Sequence, residues 1–134
     1  MNLNELTHKI IGCAMTVHNT LGNGFQEVIY QRAMAIEMEL AGLNFAREME
    51  MPIFYKDFPI GIRRVDFFVE DKVMLELKAV ITLENAHKAQ AINYCEAYNI
   101  ADGLLINFGS TSLEFKRVYN KKLIKPQPFP RFDP

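Results

Sequence analysis

Residues 64–78 read RVDFFVEDKVMLELK, and this stretch decides the fold. Apolar and polar residues alternate on both sides of residues 70–72, as they do along two antiparallel strands joined by a turn. A two-residue loop would scatter the apolar residues over both faces of the hairpin. A three-residue loop at 70–72 instead collects them on one face, where Val69 opposes Val73, Phe67 opposes Leu75 and Val65 opposes Leu77.

The same register predicts two carboxylates side by side on the other face of the hairpin. Asp66 lies opposite Glu76, and Arg64 lies opposite Lys78. At about 5 Å and an effective dielectric constant near 20, two carboxylates repel each other by roughly 3 kcal/mol. Solvent, Lys78 or a divalent cation would offset that repulsion, and hard cations such as Mg²⁺ prefer carboxylate oxygens. The pattern therefore fits a metal site, and it also fits a solvated polar sheet face.

Helical periodicity precedes the hairpin. A first amphipathic helix starts at Asn2 and ends at Gly22. A second helix follows it and ends at Gly42, with Glu27 in its first turn, where a carboxylate suits the helix dipole. The predicted buried face of this second helix consists of Phe25, Ile29, Ala33, Ile36 and Leu40.

The remaining segments predict a strand at 45–55, a helix capped by Thr82 that runs to about Asn99, and closing strands at 104–108 and 113–118. The order helix, helix, three strands, helix, two strands predicts an α/β or α+β sheet with helices packed against it.

Polar residues line one side of the predicted third helix, at the spacing of one helical face: Leu83, His87, Gln90, Tyr94 and Tyr98. Glutamine and tyrosine side chains can donate hydrogen bonds to phosphates or bases. A dimer interface or a partly exposed helix face would explain the same stripe. His18, at the edge of the first helix's apolar face, is interpreted as a structural histidine.

The composition sets the broad class of the protein. Its 134 residues, 49% hydrophobic and 23% charged, predict one globular domain over residues 1–125 and a Pro-rich arm at 126–134. No apolar run is long enough to span a membrane, and the two cysteines predict a reducing, cytoplasmic setting. The net charge of −1 argues against a general nucleic-acid binder, but residues 115–134 carry six basic residues and one acidic residue.

Several motifs together resemble the GxxExxY protein family. They are GFQEVIY at 24–30, VHNTLG at 17–22, RVD at 64–66, ELK at 76–78, HKAQ at 87–90 with NY at 93–94, and GLLINFG at 103–109. The resemblance covers about residues 5–118. That family is placed in the PD-(D/E)xK nuclease superfamily, so the resemblance implies a restriction-endonuclease-like core, a mixed central sheet flanked by helices.

The resemblance also implies a site. Asp66, Glu76, Lys78 and Glu27 would be catalytic, and Asp66, Glu76, Glu27 and the carbonyl of Leu77 would hold Mg²⁺ or Mn²⁺. Nucleic acid, DNA or RNA, would be contacted by Gln90, Tyr94, His87 and Arg64. Val65 replaces the proline of the superfamily's motif name. In relatives an upstream histidine can also bind the metal, and His18 is the candidate for that role here.

Three functions follow as alternatives: a metal-dependent nuclease, a non-catalytic nucleic-acid-binding module on the same fold, and a homodimeric interaction protein with the tyrosines of the third helix at its interface. The set of three acids and one lysine favours the nuclease, because a pure binder has little use for opposed carboxylates.

Overall fold

The computed structural model describes residues 1–122. The Pro-rich arm predicted at 126–134, and the basic residue Lys125 before it, lie outside the described residues. Three helices and five strands form the fold: α1 Leu3–Leu21, α2 Glu27–Leu40, β1 Phe45–Tyr55, β2 Phe58–Val69, β3 Val73–Lys78, α3 Asn85–Ala97, β4 Asp102–Asn107 and β5 Glu114–Tyr119. Within residues 1–122 no helix is both long enough and apolar enough to cross a membrane.

The strands form one mixed sheet in the order β1-β2-β3-β4-β5. β3 and β4 are parallel and are connected through α3, while the other three pairs are antiparallel. The sheet flanked by helices confirms the predicted α/β class.

Helices cover both faces of the sheet, so the protein has two apolar clusters. α1 and α2 pack on one face, around Tyr30, Phe67, Leu75 and Phe108. α3 packs on the other face with Val65 and Met74, and Gly103 permits its close approach because an added Cβ would lie 2.9 Å from Cys95 Sγ. Because helices cover both faces, β3 and β4 are almost wholly buried, and the centre of each strand is apolar.

The helix starts were predicted with mixed success. Asn2 caps α1 as expected, since its Oδ1 accepts from the Glu5 amide at 2.8 Å. The predicted Thr82 cap is wrong, because α3 begins at Asn85 after Glu84. The His87 Nδ1 accepts from the Glu84 amide at 3.0 Å, which closes a capping box and fixes the start two residues later than predicted.

The predicted buried face of α2 is wrong. Phe25, Ile36 and Leu40 are exposed, and the buried residues are Tyr30, Gln31, Met34 and Met38. α2 carries apolar side chains around most of its circumference, so periodicity alone does not identify its inner side. The Tyr30 ring selects that side, because it stacks on Phe108 with the centroids 4.7 Å apart and the rings 9° from parallel.

Candidate active site

The hairpin of β2 and β3 has the predicted three-residue loop, and its regular pairing stops just before the two acidic residues. Val69 pairs with Val73, Phe68 with Met74 and Phe67 with Leu75, and no further pair follows. The predicted opposition of Asp66 and Glu76, and of Arg64 and Lys78, is therefore wrong as a continuous ladder. The strands part at this point, and side chains take over the hydrogen bonds of the backbone.

Asp66 and Glu76 are joined across the gap by hydrogen bonds between side chain and backbone. Asp66 Oδ2 accepts from the Leu77 amide at 2.8 Å, and Glu76 Oε1 accepts from the Asp66 amide at 3.2 Å. Each carboxylate thus sits against the backbone of the opposite strand. This arrangement brings both groups together where β2 leaves β3.

The distortion has a counterpart on the neighbouring strand. Glu48 of β1, between the paired residues Arg47 and Met49, has a φ of 52° and makes no regular pair with β2. A non-glycine residue rarely adopts this left-handed conformation. Val65 and Phe67 also pack in different apolar clusters, on the two sides of the sheet. β2 therefore changes the face that it presents at Asp66, which the predicted strand alternation did not anticipate.

Glu76 lies in a strongly unfavourable environment for a charged carboxylate. Its residue is only 3% exposed. Burial, and then the nearby charge of Asp66, raise the pKa of Glu76 to about 7. Arg63, whose guanidinium nitrogen lies 3.6 Å from Glu76 Oε2, lowers that pKa only in part.

Asp66 is supported from α2 by a residue that the sequence did not single out. Gln31 is buried, and its Nε2 donates to Asp66 Oδ1 at 2.8 Å. Arg47 in turn donates to Gln31 Oε1 at 3.2 Å and 3.3 Å. Gln31 was missed from the sequence because the wrong face of α2 was assigned to the core. The signal that could have identified it is a glutamine next to Tyr30 on the buried face.

Glu27 lies one helical turn before Gln31, at the start of α2, and is exposed. Residues four apart share a helix face, so the side of α2 that reaches Asp66 also carries Glu27. Glu27 does not join Asp66 and Glu76 directly. Within residues 1–122, no three His, Cys, Asp or Glu side chains are grouped closely enough to hold a metal ion.

The α3 side of the site holds two cations and two polar side chains. Lys78 Nζ donates to Gln90 Oε1 at 3.2 Å. The Arg63 guanidinium lies over the Tyr94 ring, 4.7 Å from its centroid. The structure thus places Lys78 next to Gln90 and Arg63 next to Tyr94.

Arg63 and Arg64 face opposite environments. Arg64 is largely exposed and its guanidinium lies 3.6 Å from the carboxylate of Glu50 on β1. Arg63 contacts Glu76, and its buried Nε has no hydrogen-bond partner within the described part of the chain. A buried donor without a partner is costly, so this guanidinium is suited to receive a further acceptor.

Several other predicted residues have structural roles. His87 caps α3, as described above. His18 Nε2 lies 3.0 Å from the Ser110 carbonyl and is buried, which agrees with its interpretation as a structural histidine. Tyr30 Oη donates to the Gly22 carbonyl at 2.6 Å and accepts from the Phe25 amide at 3.1 Å, so it fixes the turn before α2.

The carboxylate pair fits a hard divalent cation. Asp66 and Glu76 supply oxygen ligands, as Mg²⁺ and Mn²⁺ require. Burial, and then the charge of Asp66, raise the pKa of Glu76, and Arg63 and Lys78 lower it only in part. An added positive charge between the two carboxylates would complete the compensation.

Comparisons with known proteins agree with this fold. The family described as the PD-(D/E)XK nuclease superfamily matches residues 4–118. A solved structure, described as the crystal structure of SSO0001, has a TM-score of 0.55 at 14% sequence identity; the match covers 70% of this chain and 50% of that chain. This chain thus spans about half the length of that protein, and the likeness shows the fold alone. No curated protein matches the chain. Because the family match extends over most of the sequence, the chain belongs to the PD-(D/E)XK nuclease superfamily.

Proposed function

We propose that this protein hydrolyses phosphodiester bonds in DNA or RNA, using Mg²⁺ or Mn²⁺ held by Asp66 and Glu76. The carrying observation is the pair of carboxylates at the point where β2 and β3 separate, each bonded to the opposite strand. A protein that only binds polyanions has no use for two acids in a half-buried pocket, because they repel phosphate.

The ligand set follows from the positions of the side chains. Asp66 and Glu76 would be the direct ligands, and the Leu77 carbonyl, between Glu76 and Lys78 on β3, would be the third. Glu27 would reach the metal through a water, since it lies one helical turn before Gln31, whose side chain donates to Asp66. When bound, such an ion polarises the scissile phosphate and lowers the pKa of its water.

Lys78 and Arg63 would supply the positive charge that the reaction needs. Lys78, oriented by Gln90, would stabilise the negative charge that develops on the phosphate during attack. Arg63, placed over Tyr94, would bind a phosphate of the substrate through the guanidinium group whose buried Nε has no partner. His87 would act indirectly, by fixing the start of the helix that carries Gln90 and Tyr94.

The nuclease assay compares variants within one hairpin. The parent should cleave labelled DNA or RNA in the presence of Mn²⁺, and Asp66→Ala and Lys78→Ala should lower the rate at least a hundredfold. Asp71→Ala is the matched control, because Asp71 is an exposed acid in the loop of the same hairpin. Equal cleavage by all four proteins would refute the proposal.

Metal binding is measured separately from cleavage. Mn²⁺ should raise the melting temperature of the parent, and this stabilisation should disappear in Glu76→Gln, which keeps the side-chain volume but loses the charge. A stabilisation of the same size in Glu76→Gln would rule out the carboxylate pair as the metal site.

The free thiols of Cys13 and Cys95 are both buried, in keeping with the reducing cytoplasm that we propose as the setting.

A further inference from the structure

The β1–β2 hairpin extends into a two-stranded ribbon whose large apolar side chains are exposed. We call residues 52–62 the hairpin arm. Within it Phe54 and Tyr55 are each 59% exposed, Phe58 70%, Ile60 64% and Ile62 67%. The arm's contact with α3 is at its base, where Tyr98 Oη donates to the Pro52 carbonyl at 2.9 Å. The rest of the arm has no apolar cover in the described part of the chain.

Both faces of the hairpin arm are apolar. Tyr55 pairs with Phe58, and Phe54 pairs with Pro59. Directly paired residues share a face and successive residues alternate, so these two pairs lie on opposite faces of the ribbon. An isolated two-stranded ribbon is at best marginally stable in water. A partner that covers its exposed apolar side chains would therefore stabilise this ribbon.

The exposed area approaches what a specific protein interface needs. Aromatic side chains of about 150–250 Å² that are 59–70% exposed leave roughly 350 Å² uncovered on the three rings. The two isoleucines bring the total to roughly 600 Å², which is at the upper limit for an apolar patch on a monomer. Face-to-face packing covers about half of this apolar area on each arm, roughly 600 Å² over the two arms. Because about 57% of a typical interface is apolar, the whole contact would bury about 1,000 Å², close to the minimum for a specific interface.

The charge of the arm argues against a nucleic acid or an acidic membrane as its partner. Lys56 and Asp57, at the turn between the strands, are the two charged residues of the arm and cancel each other. A polyanion is bound through an excess of positive charge, which the arm lacks. The surface is instead typical of contacts between proteins, in which apolar and aromatic side chains form the centre.

We propose that the hairpin arm is a dimerisation element that packs against the hairpin arm of a second copy of this chain. Every molecule carries the same apolar ribbon, so a two-fold axis packs one face of one arm against the same face of the other and gives a closed dimer. Pro52 on the edge strand lacks an N–H group, which disfavours joining the two sheets edge to edge. The arms therefore pack through their faces.

This interface replaces the one suggested by the tyrosines of α3. Tyr94 lies under Arg63, and Tyr98 is bonded to Pro52, so both tyrosines are engaged within the chain. The arm ends at Ile62, the residue next to Arg63, and its partner would thus lie beside the candidate active site.

The test is the mass of the full chain in solution. Sedimentation velocity at about 50 µM should give twice the 15.4 kDa of the chain for the parent. The double variant Phe58→Ser with Ile62→Ser should sediment as a monomer, since both side chains are exposed and their loss leaves the core intact. The matched control is Ile36→Ser with Leu40→Ser, because these residues of α2 are 60% and 77% exposed but lie outside the arm.

Circular dichroism confirms that each variant is folded. A parent that is monomeric at this concentration would overturn the proposal, as would dissociation caused equally by the α2 variant. If the parent is monomeric and the arm variant alone loses affinity for an oligonucleotide, the arm contacts nucleic acid and the proposal is also wrong. None of these outcomes depends on metal binding or on cleavage.

Discussion

At the residue scale, Gln31 is the support on which the position of Asp66 depends. Gln31→Leu keeps a similar volume but removes the amide that donates to Asp66 Oδ1 and accepts from Arg47. Because groups behind a metal ligand hold it in place, this change should weaken Mn²⁺ binding about tenfold or more. Isothermal titration calorimetry measures the affinity directly.

The control for Gln31 is a glutamine just before the same helix. Gln26 precedes α2, is exposed and makes no capping hydrogen bond with its side chain. Gln26→Leu should leave the Mn²⁺ affinity unchanged. Parent-like affinity in Gln31→Leu would show that Asp66 is held by the backbone of β3 alone.

The raised pKa of Glu76 predicts an unusual pH dependence of the stability of the metal-free protein. Its pKa in the fold, about 7, lies above the ordinary value of 4.5, so the folded state binds the proton more tightly than the unfolded state. This contribution to stability is complete below pH 4.5 and is lost as the pH rises through 7, by roughly 3 kcal/mol in all.

Urea denaturation of the parent and of Glu76→Gln, at pH 5.5 and at pH 8 in the presence of a chelator, isolates this effect. The parent should lose more stability than Glu76→Gln between the two pH values, because the variant lacks the titrating group. An equal loss in both proteins would mean that Glu76 has an ordinary pKa in the fold.

The two adjacent arginines provide a sharp test of which one meets the substrate. Arg63→Ala should weaken oligonucleotide binding and lower the slope of log K against log salt by about one, because one phosphate contact is lost. Arg64→Ala should change the slope little, since Arg64 pairs with Glu50 away from the pocket. A larger effect of Arg64→Ala would instead support the earlier choice of Arg64 from the sequence.

At the scale of secondary-structure elements, the segment that follows β3 is held by β4 and its continuation. Asn107 is fully buried, and its side chain bonds both the amide and the carbonyl of Val80 at 2.9 Å. Gly109 lies so close to this segment that an added Cβ would be 2.3 Å from the Val80 carbonyl oxygen. The backbone just beyond Lys78 is thus fixed from the neighbouring strand.

Gly109→Ala should therefore destabilise the fold by about 3 kcal/mol, because backbone must move to admit the methyl group. Gly12→Ala is the control with the opposite sign. Gly12 lies within α1, is exposed and has open space at its Cβ position, so alanine should stabilise the helix by about 0.5–1 kcal/mol. Urea denaturation measures both, and a neutral Gly109→Ala would show that the segment after β3 is free to shift.

The hairpin of β2 and β3 shows which features of the fold the sequence predicts and which it does not. The hairpin loop at 70–72 was predictable because a one-residue slip would have turned its apolar residues outward. The same alternation failed at Asp66, because there the side chains replace the ladder's backbone bonds. Periodicity assumes a regular strand, and a ligand site formed by parting strands violates that assumption.

The same limit explains the supporting residues. Gln31 and Arg63 gain their roles from contacts across 35 and 13 residues of chain, to Asp66 and Glu76 respectively. No local pattern encodes such contacts. α2 offered two apolar faces, and the choice between them was made by Phe108, more than 70 residues away.

At the scale of the whole molecule, the proposed dimer and the proposed site make a joint prediction about nucleic-acid binding. The hairpin arm ends next to Arg63, so pairing two arms would place two sites near one another on the assembly. A single oligonucleotide that reaches both sites would release counterions at both. The parent should then show a steeper salt dependence of binding than the monomeric variant Phe58→Ser with Ile62→Ser.

The expected magnitude follows from the number of phosphates contacted. If each site neutralises the same number, the slope of log K against log salt should be about twice as steep for the dimer on a duplex of about 20 base pairs as for the arm variant. On a duplex too short to span both sites, the two proteins should have equal slopes. Equal slopes on both duplexes would show that the sites act separately, even in a dimer joined through its arms.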